Sequence, residues 1–141
     1  GKVGGVIRIE ALKGNARVDG TLIADGANDY AGGLDDPAYL TDYSRCGAGG
    51  SIYLRVYRLQ GRGALFARGG SATGYRGTGG GGGRIAVWTR VNSEWNGTPP
   101  VGVTSATNVM GGIGNNPASW GETGTVYWAT FGDPGTLIQI R

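Results

Sequence analysis

The sequence predicts an all-β protein whose short strands stack as a solenoid of about four coils. Three observations predict this fold. Glycine supplies 31 of the 141 residues while 39% of the residues are apolar, a composition typical of strands joined by tight turns. No stretch keeps a helical apolar period over the length of a helix, so no helix is predicted. One alternating pattern recurs along the chain at variable spacing, as repeats separated by surface loops do.

The first element of each repeat is a glycine followed by alternating apolar and polar residues. It occurs as GVIRIEA from Gly5, GSIYLRV from Gly50, GRIAVWT from Gly83 and GTVYWAT from Gly124. Strict alternation predicts a half-buried strand. The residues predicted to point inward are Ile7, Ile9 and Ala11; Ile52, Leu54 and Val56; Ile85, Val87 and Thr89; and Val126, Trp128 and Thr130. Stacked strands would place the first residue of each set in one interior column.

A second strand is predicted to follow each first strand. The four candidates are GTLIADG from Gly20, GALFARG from Gly63, PPVGVTSA with Val101 and Val103, and GTLIQIR from Gly135. Between the two strands of a unit, a bulky apolar residue precedes a glycine turn, at Leu12, Leu59, Trp95 and Phe131. Each unit is therefore a strand, a corner, a strand and a glycine-rich loop. Units start near residues 5, 50, 83 and 124 of a single domain that spans 1–141.

The five glycines Gly79–Gly83 stand directly before the third strand. We interpret this run as a corner, because glycine reaches positive φ without steric cost and lets backbones approach closely. A phosphate-binding P-loop needs a lysine and a serine or threonine after its last glycine. Arg84 and Ile85 follow here, so the run does not predict a phosphate site.

The side chains offer few parts for catalysis. The chain has no histidine and a single cysteine, so Ser-His-Asp sites, Cys-His sites and most transition-metal sites lack their usual residues. We therefore predict that the protein is not an enzyme and that it has no catalytic residue, no metal site and no cofactor. Asp35, Asp36 and Asp42 with Arg45 are interpreted as a solvated acidic loop rather than a site that cleaves acidic polysaccharides.

The charge and hydropathy patterns limit the kinds of partner that the protein is expected to bind. The net charge of +3 is scattered without a basic run, which predicts no nucleic-acid binding. No apolar segment reaches the length of a membrane helix, so no membrane insertion is predicted. Cys46 is open to interpretation as a small buried residue, an intermolecular bridge or a reactive thiol. The triplet Asn96-Gly97-Thr98 is either an acceptor for an N-linked glycan or a plain corner.

Residues 47–88 resemble the glycine-rich repeats of large secreted bacterial proteins of the adhesin-like parallel β-helix kind. The stretches that carry the resemblance, in the order of those repeats, are Gly49–Ile52, Leu59–Gly63, Ala67–Gly70 and Gly81–Ala86. The segment GETGTVYW resembles their closing segment. The resemblance implies a right-handed β-solenoid, an extracellular or cell-surface location and no catalytic residues. The chain departs from those relatives in its short length and in its loops at 29–46 and 115–120.

From this fold we predict a structural subunit of an extracellular filament or matrix fibre. A short solenoid has two open ends whose strand edges present unpaired N–H and C=O groups, and we expect no capping helix at either end. Head-to-tail pairing of such ends gives a homopolymer. The predicted subunit-interface residues are Val6, Ile7, Ile9, Leu137, Ile138 and Ile140.

Two alternatives stand beside the homopolymer. In the first, the chain is a segment of a longer secreted β-helix protein, whose remaining sequence covers both ends. In the second, it is a carbohydrate-binding adhesin module for cell-surface or matrix polysaccharide, with sugar rings stacked on aromatic side chains. The candidates for such stacking are Trp95, Trp120, Tyr39 and Tyr43.

Overall fold

The computed structural model describes residues 1–28, 46–72, 77–97 and 105–132. These ranges contain the strands β1 (Val6–Arg17), β2 (Thr21–Ile23), β3 (Ser51–Gly61), β4 (Ala64–Phe66), β5 (Arg84–Thr89), β6 (Glu94–Trp95), β7 (Thr107–Asn108) and β8 (Thr125–Thr130). A one-turn 3-10 helix at Pro117–Ser119 is the sole helical element of the described ranges. The prediction of an all-β protein is confirmed.

The strands form two sheets in which every pairing is parallel. The long sheet has the strand order β1-β3-β5-β8, and β6 pairs with the far end of β3. The short sheet has the order β2-β4-β7. In both sheets the strand order follows the chain order, so successive passes of the chain lie side by side.

The register of the long sheet places like positions of the repeats next to one another. Ile7 pairs with Ile52, Ile52 with Ile85, and Ile85 with Val126, which is the column expected from the sequence. Ile52 and Ile85 are fully buried, whereas Val126 in the edge strand β8 is 38% exposed. Burial in the column therefore depends on a neighbouring strand on each side.

The hydrophobic core consists of residues from both sheets. Its largest fully buried side chains are Ile52, Leu54, Val56, Leu59, Leu65, Ile85 and Val87. Burying a side chain of this size contributes about 1.5–3 kcal/mol relative to leaving it exposed. All of these residues lie in β3, β4 and β5, so the middle of the stack carries most of the apolar stabilisation.

The corner predicted at Leu59 is found in the structure. Leu59 is fully buried, and β3 ends at Gly61, whose φ is +108°. A Cβ at Gly61 would lie 2.3 Å from the carbonyl oxygen of Val18. Both the backbone conformation and the close approach therefore require glycine at this position.

The corner predicted at Leu12 is wrong. β1 continues without interruption to Arg17 and contains a register shift, at which residues 12–14 lie opposite Tyr57 alone. Beyond the shift Ala16, and not Leu12, pairs with Leu59. Leu12 is 41% exposed, because it follows the half-buried Ala11 at an outward position of the alternation.

The short sheet contains a third strand that was not among the predicted second strands. Val101 and Val103 lie outside the described residues, and the strand that pairs with β4 is β7. Val109, which follows β7, is buried. The fourth predicted second strand, from Gly135, and its interface residues Leu137, Ile138 and Ile140 lie outside the described residues as well.

Candidate functional site

The glycine-rich segments form a hydrogen-bonded assembly of their own, which we call the glycine array. It consists of the lead-in segments before the long-sheet strands and the lead-out segments after the short-sheet strands. The lead-in segments are 2–5, 47–50, 80–83 and 121–124, and the lead-out segments are 24–27, 67–70 and 109–112. Lead-in and lead-out segments alternate through the array and are joined by backbone hydrogen bonds of 2.7–3.0 Å.

The hydrogen bonds between lead-in and lead-out segments recur every third residue. Gly80 N donates to Gly70 O at 2.9 Å, and Gly83 N donates to Ala67 O at 2.7 Å. In the next layer Gly112 N donates to Gly80 O at 2.8 Å. A three-residue period is that of an extended polyproline-II-type segment, which has no hydrogen bonds within itself and must find partners outside. The array therefore satisfies backbone groups that neither sheet pairs.

Glycine is needed in the array because the backbones lie so close together. A Cβ at Gly80 would be 2.0 Å from Gly47 O. By contrast, the nearest atom to a Cβ at Gly81 would be Glu122 O at 3.9 Å. Of the two reasons given above for the run Gly79–Gly83, only close approach applies, because Gly61 is the one glycine with positive φ in the described ranges.

The glycine pattern stops at the first lead-in segment. Through the strand register, Lys2 stands where the later lead-in segments have Gly47, Gly80 and Gly121. A Cβ at any of these glycines would point back at the preceding lead-in segment; at Gly121 it would be 1.9 Å from Gly80 O. Lys2 is exposed, and no segment precedes it in the described part of the array. Another segment packed there in register would meet the lysine side chain.

The pattern also stops at the last lead-in segment. Thr123 stands where the others have Gly4, Gly49 and Gly82. A Cβ at these positions would point forward; at Gly82 it would be 1.8 Å from Val109 O and 2.6 Å from Gly124 N. Non-glycine residues thus occur where their side chains leave the array, and they obstruct its extension in register at both ends.

The two edge strands of the long sheet present apolar side chains. In β8, Val126 is 38% exposed and Trp128 40% exposed, although they pair with the buried residues Ile85 and Val87. No described strand pairs with the outer edge of β8 or of β1. β8 therefore carries inward-pointing side chains that no described strand covers.

The predicted interface residues of β1 have two different environments. Val6 is 76% exposed, on the outer side of the sheet. Ile7 and Ile9 are half-buried and pack against the core. The structure therefore places only part of this candidate set at an accessible edge.

The aromatic candidates for sugar stacking do not share a platform in the described residues. Tyr39 and Tyr43 lie outside the description. Trp95 is half-buried against the core, and its ring stacks on Trp128 with centroids 5.4 Å apart and an interplanar angle of 27°. Trp120 is 54% exposed, and no ring contact joins it to another described aromatic side chain.

The charged groups beside the short sheet, Asp25 and Arg68, form an ion pair with each other. Asp25 Oδ2 accepts hydrogen bonds from Arg68 Nε at 2.9 Å and Nη2 at 2.6 Å, and Asp25 Oδ1 accepts from Arg68 N at 2.7 Å. The pair lines an open groove of about 470 Å³ with Asn108 and Met110. Among the described residues, no group of three acidic, cysteine or histidine side chains is placed to hold a metal.

A second carboxylate fixes the corner between β3 and β4. Asp19 accepts a hydrogen bond from Arg62 N at 3.2 Å and a shorter one from Arg17 Nε. The hydrogen bond from Arg17 lowers the pKa of Asp19 below its ordinary value.

Cys46 is a half-buried free thiol, and the predicted acidic loop with Asp35 lies outside the described residues.

Comparison with models of protein families, with curated proteins and with solved structures finds no match to this chain. In the ranges that the structure describes, no helix has the length and apolar character needed to cross a bilayer.

Proposed function

We propose that this protein is a short parallel β-solenoid that serves as a structural unit of an extracellular fibre or matrix. Two features support the solenoid. Strands of both sheets are parallel and follow the chain order, and the glycine array closes the path from the short sheet back to the long one. Such coils bury apolar surface only by stacking, which suits a structural role.

The observation that carries the assembly proposal is the edge strand β8. Its inward residues Val126 and Trp128 continue columns that are fully buried in β5, yet both are about two-fifths exposed. A further parallel strand would bury them and pair the N–H and C=O groups of the β8 edge, with which no described strand pairs. Strand β1 of another copy suits this place, since Ile7 and Ile9 already pair as the corresponding residues within the column.

Head-to-tail addition of this kind repeats without closing and builds a filament. The long sheet would carry the junction, because the glycine array does not continue in register. Lys2 of the incoming copy would point at Gly121 O of the copy before it, as the equivalent glycines do within the chain. Residues 1–4 of the incoming copy must therefore leave the array when its β1 pairs with β8.

Electron microscopy of negatively stained protein, with light scattering across a concentration series, tests this proposal. We expect filaments for the wild type and dispersed monomers for Val126→Lys, which places a charge in the junction. Lys2→Gly combined with Thr123→Gly should lengthen the filaments, because it removes the two side chains that obstruct the array. A matched control is Arg62→Lys, at an exposed corner away from β8. Wild-type protein that stays monomeric, or Val126→Lys filaments like those of the wild type, would contradict the proposal.

The segment alternative is distinguished by the mass of the natural protein. If intact mass spectrometry of material from the source gives a chain longer than this one, further coils of the same chain are the partner of β8. The isolated chain would then expose an edge that is covered in the whole protein.

A further inference from the structure

The outer face of the long sheet combines cationic and aromatic side chains. This face consists of the outward-pointing residues of β1, β3, β5 and β8. The residues that matter here are Arg8, Tyr53, Arg55, Arg84, Trp88 and Tyr127. These residues alternate with the core positions and are spread over four repeats, so the sequence alone does not bring them together as one set.

The rings of this face are arranged next to guanidinium groups. Arg8 and Tyr53 are register partners, and the Arg8 guanidinium lies 5.5 Å from the Tyr53 ring centroid. The rings of Trp88 and Tyr127 lie 5.3 Å apart and are tilted by 51°. Tyr127 is 52% exposed, so this pair offers an accessible ring surface to a ligand that crosses the strands.

The charge of the face is not neutralised within it. Glu10, the one acidic residue among the outward positions of these strands, pairs with Arg8 at 3.0 Å. Arg55 and Arg84 make no ion pair with any described carboxylate. Arg55 lies over the Phe131 ring at 5.0 Å, and Arg84 is exposed. The face therefore keeps a net positive charge close to solvent-accessible aromatic rings.

We propose that the outer face binds an acidic polysaccharide. Aromatic rings pack against the apolar faces of sugar rings, and guanidinium groups donate paired hydrogen bonds to carboxylate or sulfate groups. A neutral glycan would pack against the aromatic rings but has no anionic group for the arginine side chains to bind. A nucleic acid would call for a denser run of phosphate-binding side chains than these scattered arginines provide.

This function is independent of fibre formation, so it is tested on the Val126→Lys variant as well as on the wild type. The probes are polygalacturonate for carboxylate groups, heparin for sulfate groups, dextran as a neutral polysaccharide, and single-stranded DNA. Isothermal titration calorimetry at two salt concentrations measures binding. We expect binding to at least one acidic polysaccharide that weakens with salt, and none to dextran.

Variants of the outer face separate the contribution of the arginine side chains to binding from that of the aromatic rings. Arg55→Gln with Arg84→Gln should weaken binding by about tenfold or more, since each loses a charge-assisted hydrogen bond. Tyr127→Ala should weaken it several-fold through loss of ring contact. The control, Lys2→Gln with Arg62→Gln, removes as much charge from exposed positions outside the four strands of this face and should bind within about twofold of the parent.

Circular dichroism confirms that each variant is folded before it is titrated. If the outer-face pair and the control pair lose the same affinity, the effect depends only on net charge, and the proposed site is wrong. Binding to DNA that is tighter than to both acidic polysaccharides, or binding to neither, would overturn the ligand class.

Discussion

Replacing Gly80 with alanine should destabilise the protein strongly, because Gly80 lies at the centre of the glycine array. The new Cβ would lie 2.0 Å from Gly47 O, where an ordinary contact needs at least 3.4 Å. The lead-in segments would have to separate by more than an ångström. That movement strains the hydrogen bonds of Gly80 N to Gly70 O and of Gly112 N to Gly80 O, now 2.9 and 2.8 Å.

The magnitude follows from these contacts. Two weakened hydrogen bonds cost about 0.5–1.5 kcal/mol each, and overpacking of a tight interior costs about 1–3 kcal/mol. We expect Gly80→Ala to lower the free energy of unfolding by about 2–6 kcal/mol. For a domain of typical stability, about 5–15 kcal/mol, this loss is close to the threshold of folding.

The neighbouring glycine supplies a matched control. A Cβ at Gly81 meets nothing closer than 3.9 Å, and its φ is not in the left-handed region. Gly81→Ala should therefore leave stability unchanged or raise it by up to about 1 kcal/mol, through the smaller entropy of the unfolded chain. Urea unfolding followed by tryptophan fluorescence measures both variants. Similar values for Gly80→Ala and Gly81→Ala would refute close backbone approach as the reason for the glycine run.

Three further substitutions test the core and the charged contacts. Leu54→Ala, at a fully buried position, should cost about 2–5 kcal/mol in urea unfolding, and a loss below about 1 kcal/mol would contradict the described packing. Asp25→Asn weakens the partly exposed pair with Arg68 and should cost about 1 kcal/mol; an unchanged melting temperature would argue against that pair. The pKa of Asp19 is lowered by the hydrogen bond from Arg17, so its contribution is present above pH 3.8, its ordinary pKa, and is lost as the pH falls through the lowered value. Thermal melts of wild type and Asp19→Asn should therefore differ at neutral pH and converge in strong acid; a constant difference across the pH range would count against the bond.

The alternation of apolar residues was sufficient to predict the long sheet. Each interior column contains residues from one position of the repeat, as with Ile7, Ile52 and Ile85. A period of two fixes which side chains face inward, and parallel stacking needs only that like positions coincide. The register was therefore available from the sequence without any knowledge of the loops.

Two elements could not be predicted because tertiary pairing, and not the local sequence, determines them. β7 is the dipeptide Thr107–Asn108, and only its pairing with Leu65 and Phe66 makes it a strand. Leu12 looked like a corner residue, but the register shift that brings Ala16 opposite Leu59 depends on how β1 and β3 align. In both places tertiary pairing overrides local preference.

The outer face was missed for a different reason. Its arginines and aromatic residues occupy the polar half of each alternation, and those positions are ordinarily solvent-exposed and uninformative. Only the register brings Arg55 beside Trp88 and Arg8 beside Tyr53. A search of the outward positions across the aligned repeats would have found the set.

The glycine array changes what solution measurements of this protein will show. Its amides are hydrogen-bonded, as in Gly82 N to Glu122 O at 2.7 Å, although the segments belong to no helix or sheet. Exchange of these amide protons for deuterium should therefore be slow, although the glycine-rich sequence resembles that of a flexible linker. Proteases that cleave unfolded chain should not cleave these segments. Far-ultraviolet spectra, which register regular secondary structure, will understate how much of the backbone is held rigid.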